Sequence, residues 1–195
     1  MHVASYFARK SARGGVFIMA RKELKFISLD NINKLSIESH FEITAVKLLE
    51  SNSIIVCLYR PPNGDINIFY DKLYVMLNSF KYNHVKIFIG GDYNVHFNVS
   101  SATSNSTVDA FKSFGFESTV NFCTRGKYIL DNVFTNCKLL VPESYPFPFH
   151  SDHTGVFLRL PIKCKLPVKE QPFRLTRPLS GMGRANFFTC VTNAN

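Results

Sequence analysis

The sequence has 195 residues, of which 46% are hydrophobic and 19% are charged, and this balance predicts one folded domain rather than a disordered or fibrous chain. Apolar runs are only a few residues long, against the roughly 18 that span a bilayer, so neither a membrane-spanning segment nor a secretory signal is expected. The five cysteines form no CxxC pair, which argues against a disulfide framework and a structural zinc site.

The net charge of +9 is concentrated at the two ends of the chain. Residues 1–25 and 159–195 are rich in Lys and Arg, whereas residues 26–158 are close to neutral. Basic flanks suit a polyanionic partner such as DNA or RNA, and a solvated basic face that keeps the protein soluble explains them equally well. We expect an intracellular, non-secreted protein. A basic chain of this kind can reach the nucleus, although its dispersed Lys and Arg form no compact nuclear signal.

The first half of the chain predicts three strands and one helix. Residues 16–20 are apolar and follow Gly14-Gly15, which predicts a short buried strand entered through a turn. Residues 41–48 alternate between apolar and polar, and residues 54–59 form a continuous apolar run, so we expect a hairpin with a central second strand. Apolar residues recur at helical spacing over 69–80 and predict a helix that packs one face on the sheet.

The second half alternates short strands with polar loops. Residues 85–89 predict a buried strand, residues 99–107 a polar loop, and residues 108–114 a short helix. Two further strands are expected at 131–135 and 154–160, with proline-rich turns at Pro142, Pro146 and Pro148 between them. Many strands and few helices favour a mixed, mainly antiparallel α/β arrangement.

A polar cluster follows the predicted strand at 85–89. Residues two apart in an extended segment face the same side, so the Asp92 carboxylate and the Asn94 amide can converge on one point. A carboxylate beside an amide can orient a water molecule or bind a hard cation. The alternative is an Asx turn, in which these side chains cap their own backbone.

Two further clusters stand at the starts of the later strands. Ser151-Asp152-His153 precedes the last predicted strand and could supply one metal ligand and one donor to a phosphate oxygen, although a lone histidine is usually structural. Asp131 enters an apolar strand, where a carboxylate needs a partner, and the imidazolium of His153 would be a suitable one.

Taken together, these clusters resemble the endonuclease/exonuclease/phosphatase family. The resemblance covers residues 14–160 and is closest to the endonuclease domain of non-LTR (LINE-type) retrotransposons. It implies a deoxyribonuclease-like, four-layer α/β sandwich of mixed, mainly antiparallel sheets, and cleavage of phosphodiesters that depends on Mg²⁺ or Mn²⁺. The motifs that carry it, in chain order, are Tyr59-Arg60-Pro61-Pro62, Gly91-Asp92-Tyr93-Asn94, Thr124-Arg125 with Leu130-Asp131, and Ser151-Asp152-His153.

The resemblance also implies a role for each matching residue. Asp92 and Asn94 would orient and activate the attacking water, and His153, held by Asp131, would stabilise charge on the phosphate. Metal-assisted phosphoryl transfer needs such alignment and charge neutralisation more than covalent help. The remaining assignments are Tyr59 as a phosphate contact, Asp152 as a metal ligand, and Arg60, Thr124, Arg125 and Ser151 as nucleic-acid contacts.

The chain departs from the family pattern before Gly14-Gly15. Strands and a metal-binding Glu are expected there, so we interpret residues 1–13 as the remnant of a truncated start, residues 14–160 as the domain, and residues 161–195 as a basic, proline-containing linker or tail. A missing carboxylate would weaken Mg²⁺ binding. Two hypotheses follow: an endonuclease that acts on the DNA phosphate backbone, or a catalytically inactive nucleic-acid-binding remnant. Neither involves a membrane or a small-molecule cofactor, and a reverse transcriptase domain is expected to be absent from this chain.

Overall fold

The computed structural model, which describes residues 1–10, 14–80, 85–137, 143–148 and 151–160, centres on a six-stranded mixed sheet. Only the strands at Ser53–Tyr59 and Lys86–Asp92 pair in parallel, and the other neighbours in this sheet pair antiparallel. The predicted mixed, mainly antiparallel α/β sandwich is confirmed. In spatial order the strands are β3 (Phe26–Ser28), β4 (Glu42–Leu48), β5 (Ser53–Tyr59), β6 (Lys86–Asp92), β8 (Asp131–Thr135) and β7 (Glu117–Ser118).

The helices cover one face of this sheet. They are α1 (Asp30–Asn33), α2 (Ile66–Ser79) and α3 (Ala102–Ser113). Helix α2 confirms the helix predicted over 69–80 and supplies the crossover that a parallel β5–β6 pair requires. Its buried residues Phe69, Leu73, Met76 and Leu77 join the apolar side chains of β4, β5 and β6 in one core. No helix within the described ranges has the length and apolarity of a membrane span.

Helix α3 begins earlier than its sequence suggests. Residues 99–107 are predicted as a loop, but the helix starts at Ala102, so the prediction is wrong from that residue onward. The hydroxyl of Ser101 accepts a hydrogen bond from Ser104 N–H at 3.1 Å and caps the helix. Inside the helix, the Thr107 hydroxyl donates to the carbonyl of Thr103 at 2.7 Å. The hydroxyl-rich composition therefore belongs to the first turns of a helix.

Two hairpins complete the described structure. One pairs β1 (His2–Ala8) with β2 (Gly15–Ala20), and it packs on the sheet face opposite the helices, where Thr44 Oγ1 donates to Ser5 Oγ at 2.6 Å. Strand β2 confirms the strand predicted at 16–20, although it is buried on one face only, since Phe17 is 61% exposed. The sequence does not predict strand β1. Because β1 pairs with β2, residues on both sides of the predicted domain boundary between residues 13 and 14 belong to one sheet.

The second hairpin pairs β9 (Glu143–Phe147) with β10 (Gly155–Arg159). Strand β10 confirms the strand predicted at 154–160, whereas β9 contains Pro146, which is predicted as part of a turn. A proline is tolerated there because β9 pairs with β10 alone among the described residues, and its other edge needs no ladder hydrogen bond. Pro142 and the predicted tail at 161–195 lie outside the described residues.

Gly91 sets the distance between β5 and β6 next to the first polar cluster. Its φ is +155°, and a Cβ atom at this position would lie 1.7 Å from the carbonyl oxygen of Leu58. Only glycine permits so close a backbone approach. Neighbouring Gly90 has room, because its Cβ would first meet Val133 Cγ2 at 3.4 Å.

We predict that Gly91→Ala lowers the free energy of unfolding by about 3 kcal/mol or more, because the strands must separate or the backbone must strain. Chemical denaturation measures this. Gly90→Ala is the matched control and should cost less than about 1 kcal/mol. Equal losses for the two variants would contradict the prediction.

Candidate active site

Four polar side chains stand at one level across four adjacent strands. Glu42 pairs with Tyr59, Tyr59 pairs with Asp92, and Asp92 pairs with Asp131. Directly paired residues point to the same face of a sheet. Leu58, which precedes Tyr59, belongs to the helix-side core, so this row faces the other way. We refer to these four residues as the polar row.

His153 joins the end of the polar row. Its Nδ1 lies 2.8 Å from Asp131 Oδ2, so the predicted Asp131–His153 partnership is present. Asp92, Asp131 and His153 each present one potential ligand atom, and these atoms lie within 4.8 Å of one another. This is the one such group of three found among the described residues. Two carboxylates and an imidazole can hold a divalent cation whose remaining positions are filled by water.

Asn94 fixes the carboxylate of Asp92. Its backbone N–H donates to Asp92 Oδ1 at 2.9 Å, and its side-chain Nδ2 donates to Asp92 Oδ2 at 3.3 Å and to the Arg60 carbonyl at 2.8 Å. Asn94 has a φ of +47°, which asparagine tolerates better than most residues. The Asx turn considered as the alternative is therefore present, and it holds the carboxylate in the row.

The surroundings of Asp92 disfavour its negative charge. Burial raises the pKa of Asp92 to about 6, and the neighbouring Asp131 carboxylate adds to this. The Asn94 N–H and the positive charges of His153 and Arg125 oppose the rise in pKa. A cation held between the two carboxylates would relieve the unfavourable charge, so the residues present fit a divalent metal ion.

The exposed side of the site is formed by Arg125 and the segment before β10. Arg125 Nη2 lies 2.6 Å from Asp152 Oδ2. Ser151 Oγ donates to Asp152 Oδ1 and accepts from His153 N–H, both at 3.2 Å. The Asp152 carboxylate is thus paired with Arg125 and lies outside the group of three, and its assignment as a metal ligand stays a prediction.

Arg60 lies behind the site. Its side chain is buried, and Nη1 donates to the carbonyls of Tyr93 and Asn94 at 3.4 and 3.3 Å. Burial lowers the pKa of this guanidinium, which also lies 5.8 Å from the Phe69 ring centroid. In this structure Arg60 supports the backbone that carries Asn94, and its predicted contact with nucleic acid stays a prediction.

Thr124 is also buried, at 1% exposure. Its Oγ1 accepts from the backbone N–H groups of Leu130 and Asp131 at 2.9 and 3.0 Å, and its carbonyl accepts from Thr154 N–H at 2.6 Å. Thr124 therefore attaches the start of β8 to the segment that follows His153. Its predicted role in a nucleic-acid groove stays a prediction.

A cavity of about 330 Å³ opens beside the Asp131–His153 pair. Cys57, Gly90, Val133 and Val156 are among its lining residues. Burial raises the pKa of Cys57 to about 11, so the thiol stays protonated at neutral pH and contributes an apolar surface rather than a nucleophile.

Sequence reasoning missed the ion pair at the other end of the polar row. The carboxylate of Glu42 is fully buried, and its Oε1 accepts from Arg9 Nε at 2.6 Å and from Ser39 N–H at 3.0 Å. Glu42 Oε2 is buried and has no hydrogen-bond partner within the described ranges. The Arg9 guanidinium lies 5.6 Å from the Tyr59 ring centroid. The available signal was the acidic residue Glu42 at a polar position of the alternating stretch at 41–48.

Comparisons with protein-family models and with curated protein sequences give no match. Among solved structures, the chain is similar to the endonuclease domain of TRAS1, a telomere-specific non-LTR retrotransposon, with a TM-score of 0.66 and 13% identity over 82% of this chain and 77% of that one. It also matches an endonuclease/exonuclease/phosphatase family protein from Leptotrichia buccalis (TM-score 0.44, 18% identity, 63% and 54% covered). A third match is D. rerio TDP2 complexed with a single-strand DNA product (TM-score 0.45, 13% identity, 78% and 76% covered). The chain has the fold of the TRAS1 endonuclease domain, and the predicted resemblance in fold is confirmed.

We predict that Asp92→Asn stabilises the metal-free protein at neutral pH. A carboxyl whose folded pKa is raised from 3.8 to about 6 destabilises the fold increasingly as pH rises through that interval, and the amide removes this effect. The gain should be about 1–2 kcal/mol above pH 6 and should vanish near pH 4. Denaturation in EDTA at several pH values measures it, and a variant less stable than the parent at pH 8 would contradict the prediction.

We predict that Arg9→Met lowers the free energy of unfolding by about 3–5 kcal/mol, because it leaves the Glu42 carboxylate buried without its charge partner. The double variant Arg9→Met/Glu42→Gln should recover part of this loss. Arg21→Met is the control, since Arg21 and Glu23 form an exposed pair at 3.5 Å whose loss should leave the denaturation midpoint unchanged. A double variant as unstable as Arg9→Met alone would contradict the prediction.

Proposed function

We propose that this chain is a metal-dependent phosphodiesterase of the endonuclease/exonuclease/phosphatase family, of the type found in non-LTR retrotransposons, and that it nicks DNA. The observation that carries the proposal is the convergence of Asp92, Asp131 and His153 within 4.8 Å in a chain with the fold of the TRAS1 endonuclease domain. DNA is the proposed partner because that domain belongs to a retrotransposon endonuclease. A nuclear location remains a prediction.

The two aspartates of the site would hold Mg²⁺ or Mn²⁺ with water completing the coordination. The bound ion would supply positive charge that neutralises the scissile phosphate. The group contains only two carboxylates, so metal binding should be weak, and saturation should require a high metal concentration.

The side chains of the site would activate the water and bind the phosphate. Asp92, oriented by Asn94, would accept a proton from the attacking water on the carboxylate oxygen that does not hold the ion. The oxygen of that water would bond to phosphorus, and the O3′ leaving group would depart and take a proton from solvent. His153 keeps Nδ1 on Asp131, so its Nε2 is the nitrogen that would contact a phosphate oxygen. Tyr59, next to Asp92 in the polar row, would place its hydroxyl on the same phosphate.

A second candidate is binding of nucleic acid without cleavage. The pairing of Asp152 with Arg125 at 2.6 Å favours it, since that carboxylate is the expected additional metal ligand. In this case the chain would bind phosphates through its basic residues, and the affinity would fall as salt rises.

We predict that the protein nicks supercoiled plasmid in Mg²⁺ or Mn²⁺, and that Asp92→Ala and His153→Ala each reduce the rate at least 100-fold. His2→Ala is the control, because His2 stacks on Phe26 away from the polar row. Circular dichroism should show that all variants are folded. A folded parent that nicks at no metal concentration would overturn the proposal in favour of the second candidate. Nicking that survives Asp92→Ala would overturn the assignment of the active site to Asp92, Asp131 and His153.

A further inference from the structure

An exposed stack of rings joins the segment that follows Asp92 to the segment that precedes Asp131. The ring of His96 packs on the ring of Tyr128, with centroids 4.1 Å apart and planes 8° from parallel. The Lys127 ammonium lies 5.4 Å from the Tyr128 centroid. His96 and Lys127 are exposed, and Tyr128 is half-buried. One face of the imidazole rests on Tyr128, and the exposure of His96 leaves ring surface accessible to a ligand. We refer to these three residues as the ring platform.

The backbone beneath the ring platform is held by side-chain and main-chain hydrogen bonds. Asn98 Nδ2 donates to the Lys127 carbonyl at 2.8 Å, and Asn98 Oδ1 accepts from Ile129 N–H at 3.0 Å. Phe97 N–H donates to the Ile129 carbonyl at 3.0 Å. A platform fixed in this way loses little conformational entropy when a ligand binds.

The ring platform lies close in sequence to both aspartates of the site. His96 lies two residues after Asn94, and Tyr128 lies three residues before Asp131. Arg125, which bonds Asp152, begins the turn that carries Lys127 and Tyr128. A stacked ring pair and the cations Lys127 and Arg125 therefore lie on the two segments that carry the aspartates of the site.

We propose that the ring platform binds an unpaired nucleobase of the nucleic acid that is adjacent to the phosphate at Asp92 and His153. The base would stack on the accessible ring surface of His96, and Lys127 would contact the neighbouring phosphate. Every base has a flat face, so this contact recognises single-stranded or unstacked nucleotides without regard to sequence. The inference rests on the proposed function, since the proposed site defines which phosphate lies next to the ring platform.

The test measures binding in EDTA, where no cleavage occurs. Two fluorescently labelled single-stranded oligonucleotides of equal length are compared, one of thymidines and one of abasic residues, so that they carry the same phosphates. The parent should bind the thymidine strand about tenfold more tightly. His96→Ala should abolish this preference and leave the affinity for the abasic strand unchanged. His96→Phe, which restores a flat ring, should keep the preference.

Two further variants separate stacking from charge. Lys127→Ala should weaken binding of both strands equally and reduce the salt dependence, because it removes a phosphate contact. His2→Ala removes a histidine that also stacks on an aromatic ring, at 5.2 Å from Phe26, and should change neither affinity. The thermal midpoint of His96→Ala should match that of the parent.

The proposal is overturned if the parent binds neither strand, if it binds both equally, or if His96→Ala retains the preference. Each of these results would mean that the stacked rings only stabilise the turn and bind no base. These results are distinguishable from failure of the proposed function. Plasmid nicking without a base preference rejects the ring platform and keeps the nuclease, whereas a base preference without nicking keeps the ring platform and rejects the nuclease.

Discussion

Strands β5 and β6 run parallel with Tyr59 opposite Asp92, and β8 returns antiparallel with Asp131 opposite the same aspartate. The candidate site exists only in this register, because a shift by one residue would turn each of these side chains to the helix-side core. Gly91 maintains the register at its most crowded point, where the backbone passes the Leu58 carbonyl too closely for any side chain. The position of the polar row therefore depends on a close contact between the backbones of Gly91 and Leu58, neither of which contributes a side chain to the site.

Much of this arrangement is readable from the sequence, because the strands that build it are strongly patterned. The apolar run before Asp92, the helical spacing after Phe69 and the carboxylate of Asp131 in an apolar strand each predict their element, and the two aspartates are thereby placed at the ends of predicted strands. Strand β1 and the start of α3 could not be read in the same way. Strand β1 depends on its pairing with β2, and the hydroxyls near the start of α3 favour a loop until Ser101 caps a helix.

The site motifs carry less information about exposure than about chemistry. Arg60 and Thr124 stand beside site residues in the sequence, which suggests contact with a ligand. Both side chains are buried, however, and form hydrogen bonds with the backbone around Asn94 and Asp131. Spacing alone cannot distinguish a side chain that faces a ligand from one that supports the residue facing it. The Arg9–Glu42 pair could not be predicted from spacing either. Its two members are far apart in sequence and meet only because β1 pairs with β2 and that hairpin packs on β4.

Thr124 links the two segments that carry the Asp131–His153 pair. One buried residue binds the amide of Asp131 through its hydroxyl and the amide of Thr154, next to His153, through its carbonyl. The aspartate and the histidine of the pair thus share one attachment, although Asp131 begins β8 and His153 lies in the segment before β10. A local opening of the turn at Thr124 would release both together, so we expect the amides of Asp131 and Thr154 to exchange with solvent deuterium as a single cooperative unit, separately from those of the β4–β5 hairpin.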